Sequence, residues 1–526
     1  MVDETLLALI HQTPAREHWE KIGIRDRHGI CVPLFYLRTE NSHGIGEFAD
    51  LYPVIDWCAS VGFDIIQLLP LNDSANPSPY NGLSAVALNP LHLSLQQLKG
   101  FKETEETKLL KKIDTEKRIN FPQLRLNKEH FLKLYFASHR EEFVNDPAFH
   151  EFVEKHPWTR TYALFKVLKE ISGGSHWQDW DIKYRCRNLD ALLQIAEEER
   201  EMIHYFEYLQ FLCYTQMKEV REYANEKGIL IKGDLPILLS PDSADVWAHT
   251  ELFNQNLAAG APPDMYSPKG QYWGFPLYRW EALKARDYTF WKKRLRASED
   301  LYNLYRLDHV VGFFRIWAIE RGKGPEEGFF TPPEENLWLE QGHQLMSVLL
   351  QTTGMLPVGE DLGTVPDEVR AVLTQMGIPG TKVMRWEKNW LGDQNLINPK
   401  LYPPLSMTTV STHDSETLGQ WWAHEPDEAK RLAKVKGWDY DEKITYDQRF
   451  EILRDTHTSS SIFHINLLSE YLSLYPELIH DDPNEERINV PGTLSPTNWT
   501  IRQKVPFHEI MEHSQLQEAI EKLLKS

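Results

Sequence analysis

Leu304-Tyr305-Arg306-Leu307-Asp308-His309, running on through Val310-Val311-Gly312-Phe313-Phe314-Arg315-Ile316-Trp317, is the stretch on which the fold turns. Its β-branched and aromatic residues predict a buried strand. Side chains two apart on a strand share a face, so Arg306 and Asp308 point the same way. A charged pair at the end of a buried strand costs desolvation free energy unless something is gained. One gain is a carboxylate held ionised by a guanidinium, ready to attack carbon or to stabilise a cation. The other reading of this stretch alone is an ion pair that only fixes a loop.

Runs of the same kind recur on either side. They are 29–37 (GICVPLFYL), 64–71 (DIIQLLPL), 229–237 (ILIKGDLPI), 355–363 (MLPVGEDLG), 381–386 (TKVMRW) and 407–414 (MTTVSTHD), with 488–493 (INVPGT) as an eighth. Helical patterns separate most of them, as at 366–376 and 427–434. Another is the stripe Leu209, Cys213, Met217, Val220 and Ala224, ended by Gly228. Eight strands alternating with helices predict an α/β chain folded as a (β/α)8 TIM barrel with inserted helical subdomains. A doubly wound open sheet is the alternative, but no Gly-rich phosphate turn follows the first strand.

Residues from about 92 to 200, rich in Glu, Lys and Leu with helical periodicity, predict a mainly helical insertion. The segment 260–276 is dense in Gly, Pro and rings. It predicts either a lid-like loop over the site or a loop packed down by its own rings. On this reading 1–28 is a lead-in, 29–502 the catalytic barrel and 503–526 a C-terminal helix.

The 526 residues carry 57 Lys and Arg against 77 Asp and Glu, a net charge of −20. An acidic surface argues against nucleic acid and anionic membranes as partners and suits a neutral ligand. Seventeen Trp and 21 Tyr supply flat amphipathic rings, which line sugar or base sites where they are not core. Cys31, Cys58, Cys186 and Cys213 stand apart with no C-x-x-C pair, which predicts a reducing compartment. Met1-Val2-Asp3-Glu4 lacks the basic start of a signal peptide, and no run approaches the roughly 20 apolar residues of a membrane span. The expected location is the cytoplasm.

The ends of the strands carry Asp234, Asp308, Glu360 with Asp361, and Asp414 beside His413. In a barrel those ends converge on one mouth. Carboxylates gathered there repel one another, so the cluster points to function rather than stability. Glu360 and Asp361 are adjacent and face opposite ways on a strand, and Glu360 is taken as the one in the mouth. With no H-E-x-x-H motif the carboxylates read as acid, base and nucleophile rather than metal ligands, a divalent-metal hydrolase being the other possibility. No metal and no cofactor is expected.

Arg306-Leu307-Asp308-His309, Gly359-Glu360-Asp361-Leu362-Gly363 and Thr412-His413-Asp414 resemble the three catalytic motifs of the 4-α-glucanotransferases. This family is also called the amylomaltases or disproportionating enzymes, glycoside hydrolase family 77. Gly44-Ile45-Gly46, Ser78-Pro79-Tyr80, Gly233-Asp234-Leu235-Pro236, 242–247, 274–280 and 489–492 match in family order. The resemblance implies transfer of α-1,4-glucan segments between maltooligosaccharides by a retaining double displacement. Asp308 is then the nucleophile, Glu360 the general acid/base and Asp414 the carboxylate that binds and distorts the sugar. Arg306 would keep Asp308 ionised, His413 would bond sugar hydroxyls and Tyr80 would stack on the donor sugar. Asp234 matches the strand-three aspartate, Trp273 falls in the lid over the acceptor side, and His309 joins the substrate-binding set.

Three positions depart from the family pattern. Phe-Arg-Gly after the Asp-His pair is Val310-Val311-Gly312, Pro-Pro-Asp-Tyr-Phe-Ser is Pro262-Pro263-Asp264-Met265-Tyr266-Ser267, and Asn-Asp after Thr-His-Asp is Ser415-Glu416. Two rival functions follow from the same residues: a hydrolase of α-1,4-glucans from the α-amylase clan, and a non-catalytic glucan-binding protein.

Overall fold

Short runs of aliphatic and β-branched residues, buried on both faces, form eight parallel strands in a computed structural model that describes residues 4–263, 267–389 and 392–525. They are β1 (Arg27–Cys31), β2 (Ile65–Gln67), β3 (Leu230–Leu235), β6 (Leu304–Leu307), β9 (Leu356–Gly359), β10 (Gly380–Val383), β11 (Ser406–Thr409) and β12 (Phe463–Leu467). Their order in the sheet is β10-β11-β12-β1-β2-β3-β6-β9. The two outer strands meet, which bends the sheet round into a barrel. At this seam Gly359 N–H donates to Pro379 O at 2.8 Å, and Thr381 Oγ1 donates to Gly359 O at 3.0 Å.

Asp361, two residues past β9 and buried, belongs to the seam. Its Oδ1 accepts from Thr381 N–H at 2.6 Å, and its Oδ2 from Arg370 Nε at 3.0 Å. Gly380 makes room for this carboxylate, because a Cβ there would lie 2.7 Å from Asp361 Oδ1.

The expected eighth strand at 488–493 is absent, and β12 takes its place. Two polar residues hid it from a pattern search, His464 and Asn466. Both face the helices outside the sheet and are satisfied there: His464 Nδ1 lies 2.8 Å from Thr456 O, and Asn466 bonds Thr456 Oγ1, Tyr471 OH and Val410 N–H. Residues 488–493 form a loop instead. The run 304–317 is also two strands, β6 and β7 (Ile316–Glu320), separated by the short 3-10 turn Val310–Phe313.

Helices from Glu105–Ile113 to Arg200–Glu226 fill the connection between β2 and β3. Two glutamines on the last of them hold the chain that follows β2. Gln210 bonds both Leu88 N–H and Leu88 O at 2.8 Å, and Gln216 bonds Ser94 N–H at 2.9 Å and Ser94 O at 3.1 Å. Each side-chain amide stands in for a strand neighbour and orders the loop that carries Tyr80.

The two ends of the segment 260–276 are paired strands rather than loop. β4 (Phe253–Ala261) and β5 (Gln271–Tyr278) pair antiparallel, and with β7 and β8 (Phe329–Thr331) they make a second sheet in the order β5-β4-β7-β8. A bulge near Gly274, whose φ is +81°, broke the alternation that would have marked it. Asp264, Met265 and Tyr266 lie outside the described residues. The C-terminal helix expected at 503–526 is two helices, Phe507–Glu512 and Ser514–Leu524, parted at His513, whose Nδ1 accepts from Leu516 N–H at 3.1 Å.

Gly380→Ala is expected to push Asp361 out of the seam and lower unfolding free energy by about 1–3 kcal/mol, the usual penalty of overpacking. A urea midpoint equal to that of the parent chain would contradict this account of the seam.

Candidate active site

β3 and β6 are paired so that Asp234 lies beside Arg306, and β6 and β9 so that Leu307 lies beside Gly359. That register brings the ends of three strands to one point. Arg306 Nη1 donates to Asp234 Oδ1 at 3.0 Å and Oδ2 at 2.9 Å, to Asp308 Oδ1 at 2.8 Å and to Tyr80 OH at 3.3 Å. Its Nη2 lies 3.6 Å from Glu360 Oε2. One buried guanidinium therefore touches or approaches three carboxyls contributed by three strand ends. Burial opposes the charge on Arg306, but Asp234, Tyr80, Asp308 and Glu360 together raise its pKa well above the usual value.

After β6 the chain turns sharply at His309, whose φ is +45°, an uncommon left-handed conformation for a non-glycine residue. The turn aims His309 N–H at Glu360 Oε2, 2.8 Å away, while Leu362 N–H donates to Oε1 at 3.0 Å. Glu360 is nonetheless pushed up to about 8. Burial is the largest cause, Asp308 adds to it, and Arg306 and the two N–H groups act against it. Glu360 thus faces the cleft and its neighbour Asp361 the seam. Burial and Asp308 raise the pKa of Asp234 as well, against Arg306 and the bond from Tyr80.

Asp414 stands across the cleft in a different setting. His413 Nε2 lies 3.1 Å from its Oδ2, and Asn489 Nδ2 donates to its Oδ1 at 2.6 Å. Burial works against the charged form, but the neighbouring His413, Asn489 and Arg306 prevail and hold this carboxyl at about 2. Two carboxyls in one cleft are therefore driven apart, one kept protonated near neutrality and the other ionised.

Tyr80 joins the two halves. Its OH donates to Asp234 Oδ2 at 2.7 Å and lies 3.0 Å from His413 Nε2. Its ring stacks on His413 at 5.3 Å between centroids, so one face of the ring is already covered. Trp499 leans on both, at 5.6 Å from Tyr80 and 5.8 Å from His413. Trp273 stands edge-on to His309 at 4.9 Å, and burial brings the His309 pKa down to about 4.

All nine site residues expected from the sequence, Asp308, Glu360, Asp414, Arg306, His413, Tyr80, Asp234, Trp273 and His309, lie in this one neighbourhood. Three others went unnoticed as site residues: Asn489, Trp499 and Arg487. Arg487 Nη2 donates to Asp414 O at 3.0 Å and its Nε to Asn489 O at 2.6 Å, which clamps the 487–489 segment onto Asp414. The motif at 489–492 was the one available signal for them.

The cleft that joins these residues has a volume of about 2520 Å³, several times that of a typical small-molecule pocket. It extends from the 490–499 loop on one side to the β4–β5 hairpin, Trp317 and Phe330 on the other. Such a trough fits a chain-like ligand. Its neutral acid, buried cation and flanking rings suit sugar chemistry rather than recognition of an anion.

Comparison with known proteins agrees with this chemistry. Residues 32–507 match the glycoside hydrolase family 77 description, 4-alpha-glucanotransferase. A 4-alpha-glucanotransferase of Chlamydia muridarum is 42% identical over 518 residues, covering 97% of both chains. One from Thermus thermophilus is 32% identical over 455 residues, 83% of this chain and 86% of its own. The solved amylomaltase from Streptococcus agalactiae in complex with acarbose superposes with a TM-score of 0.82 at 25% identity, covering 95% of this chain and 98% of that one. The family match spans seven of the eight barrel strands, β2 to β12, and the stretches that carry the carboxyls of the cleft, and the chain belongs to glycoside hydrolase family 77, the 4-alpha-glucanotransferases.

Proposed function

We propose that glucan transfer by this enzyme runs as a retaining double displacement on Asp308 and Glu360. The observation that carries the reading is the single guanidinium of Arg306, 2.8 Å from Asp308 and 3.6 Å from Glu360, which gathers both carboxyls in one part of the cleft. A retaining pair needs about 5–5.5 Å between its carboxyls.

In the first step an Asp308 oxygen bonds to C1 of the donor sugar as the C1–O4 bond breaks, and the Glu360 proton passes to O4 of the leaving chain. In the second, the Glu360 carboxylate takes the proton of an incoming 4-hydroxyl. That oxygen bonds to C1, and Asp308 leaves as a carboxylate. Asp414, held ionised, would bond the hydroxyls of the sugar at the cleavage point and favour its distorted, cation-like form. Every proton and bond in this scheme belongs to a side chain or a sugar, so no cofactor enters it.

The substrates are then maltooligosaccharides and longer α-1,4-glucans. The hairpin bearing Trp273 would act as a lid that keeps water from the glycosyl-enzyme. No described helix is long and apolar enough to cross a membrane, and the four cysteines form no disulfide, which supports a cytoplasmic location.

Incubation with maltotriose alone separates transfer from hydrolysis. Glucose with a ladder of longer chains is expected; short sugars alone would favour the hydrolase, and no turnover a binding protein. Asp308→Asn and Glu360→Gln are each expected to lower kcat by at least about 10³-fold with the urea midpoint retained. Near-parental activity in either variant would remove that residue from the scheme.

The pH profile gives a third check. A general acid whose pKa is raised works below that value, so kcat/KM should fall as pH rises through about 8. A limb near pH 5, or none up to pH 10, would contradict the assignment of Glu360 as acid.

A further inference from the structure

Two buried carboxyls beside the Asp414 loop take no part in the scheme above. Glu470 lies three residues past β12 and is 1% exposed. Its Oε1 accepts from Ser411 Oγ at 2.5 Å and from Leu418 N–H at 2.9 Å, and so brackets the loop that carries His413 and Asp414. Glu486, 4% exposed, ends the 3-10 turn Pro483–Glu486, and its Oε1 accepts from His480 N–H at 2.7 Å. The next residue is Arg487, which together with Asn489 clamps Asp414.

The elements that bear them pack together. Gln420 Nε2 donates to Asn484 Oδ1 at 3.2 Å, which sets the turn ending in Glu486 against the helix start that Glu470 holds through Leu418. Each carboxyl has a second oxygen, Glu470 Oε2 and Glu486 Oε2. Both are buried, and neither accepts from an N–H or O–H of the described residues. Two ionised carboxyls left so in a dry interior would be costly. One proton held between them satisfies both oxygens.

The surrounding charges favour that arrangement. Burial is the largest effect on Glu486 and pushes its pKa up; the N–H and ring of His480 act against it, and Glu470 and Glu485 add to it. The His480 ring is itself engaged, with Nε2 3.0 Å from Arg502 O and Nδ1 3.9 Å from Glu485 Oε2. Arg118 and Tyr36 also feel the Glu486 charge, but Arg118 donates to Thr497 O at 3.0 Å and Glu485 O at 3.4 Å. On the other side Arg449 feels Glu470, and its Nη1 donates to Ser473 Oγ at 3.0 Å.

We propose that Glu486 keeps its proton and donates it to Glu470 Oε2, a bond that pins the 480–489 segment to the 411–418 loop and thereby positions Asp414. Neither glutamate lines the cleft, so both are positioning residues. With the joint closed, Asn489 Nδ2 reaches Asp414 Oδ1 at 2.6 Å and Asn489 N–H reaches His413 O at 3.1 Å. Removal of the proton leaves two carboxylates repelling across the joint, and the segment lifts from Asp414. The protonated form is the one that binds, so glucan affinity falls as pH rises. That consequence for sugar rests on the role proposed above for Asp414.

The test uses the full-length chain carrying Asp308→Asn to stop turnover, alone or with Glu486→Gln, Glu470→Gln or Glu486→Leu added. Either glutamine puts an N–H in place of the shared proton at every pH. Two quantities are measured at about pH 6 and about pH 9: protection of the 487–499 amides from hydrogen exchange, corrected for intrinsic rate, and the calorimetric Kd of maltoheptaose. Between those pH values Asp308→Asn alone is expected to lose at least about tenfold more protection and affinity than either glutamine variant. Glu486→Leu, with no bond to lose, should be weak in both at either pH. The same pH dependence with and without the glutamines, or a leucine variant as well protected as they are, would overturn the shared proton. Should one glutamine variant fail to fold, the other decides. A chain that binds maltoheptaose at neither pH would refute the role of Asp414, while exchange still decides on the carboxyl pair.

Discussion

One guanidinium organises the catalytic end of this barrel. Arg306 is buried, bonds Asp234, Asp308 and Tyr80, and lies within 3.6 Å of Glu360. A lysine could not replace it, because its compact ammonium lacks the planar fork that serves several acceptors at once. A single positive charge also cannot neutralise three carboxylates. The shortfall is met by protonation, and Glu360, buried and beside Asp308, is a carboxyl that keeps its proton up to about pH 8. The charge imbalance around Arg306 thus yields a protonated carboxyl, the group that the proposed double displacement calls for.

The second constraint is closure of the sheet. Glu360 follows β9, which is one lip of the seam, and the next residue, Asp361, ties that lip to Thr381 and Arg370. The carboxyl proposed as acid/base is therefore positioned by the same two-residue step that closes the ring. Alternation along the strand does the sorting, sending one carboxyl inward to the cleft and the other into the wall.

Much of this was legible in the sequence. Strands buried on both faces read as apolar runs, so seven of the barrel strands were found where aliphatic residues cluster, and carboxyls at their ends marked the mouth. What escaped notice depends on partners far away in the chain. β12 carries His464 and Asn466, whose polarity is acceptable only because Thr456, Tyr471 and Val410 arrive to bond them. Asn489 reaches Asp414 across 75 residues, and the motif at 489–492 marks the segment without showing which distant carboxylate it meets. The β4–β5 hairpin was read as a loop because Gly274 and the bulge interrupt its alternation. Local pattern reveals a strand whose neighbours are apolar; it is silent where a distant group supplies the compensation.

The two glutamines of the Arg200–Glu226 helix carry a consequence for how such chains can vary. Gln210 reads Leu88 and Gln216 reads Ser94, each at a separation of 122 residues. Helix and loop are thus locked at two rungs with the same offset. One residue inserted or deleted between 88 and 94, or between 210 and 216, would leave a rung with a pair of buried backbone groups facing nothing. Changes of length should accumulate in the helical connection between the rungs, where the offset can drift without disturbing either bond. Within them, descendants of this chain can change letters but not spacing.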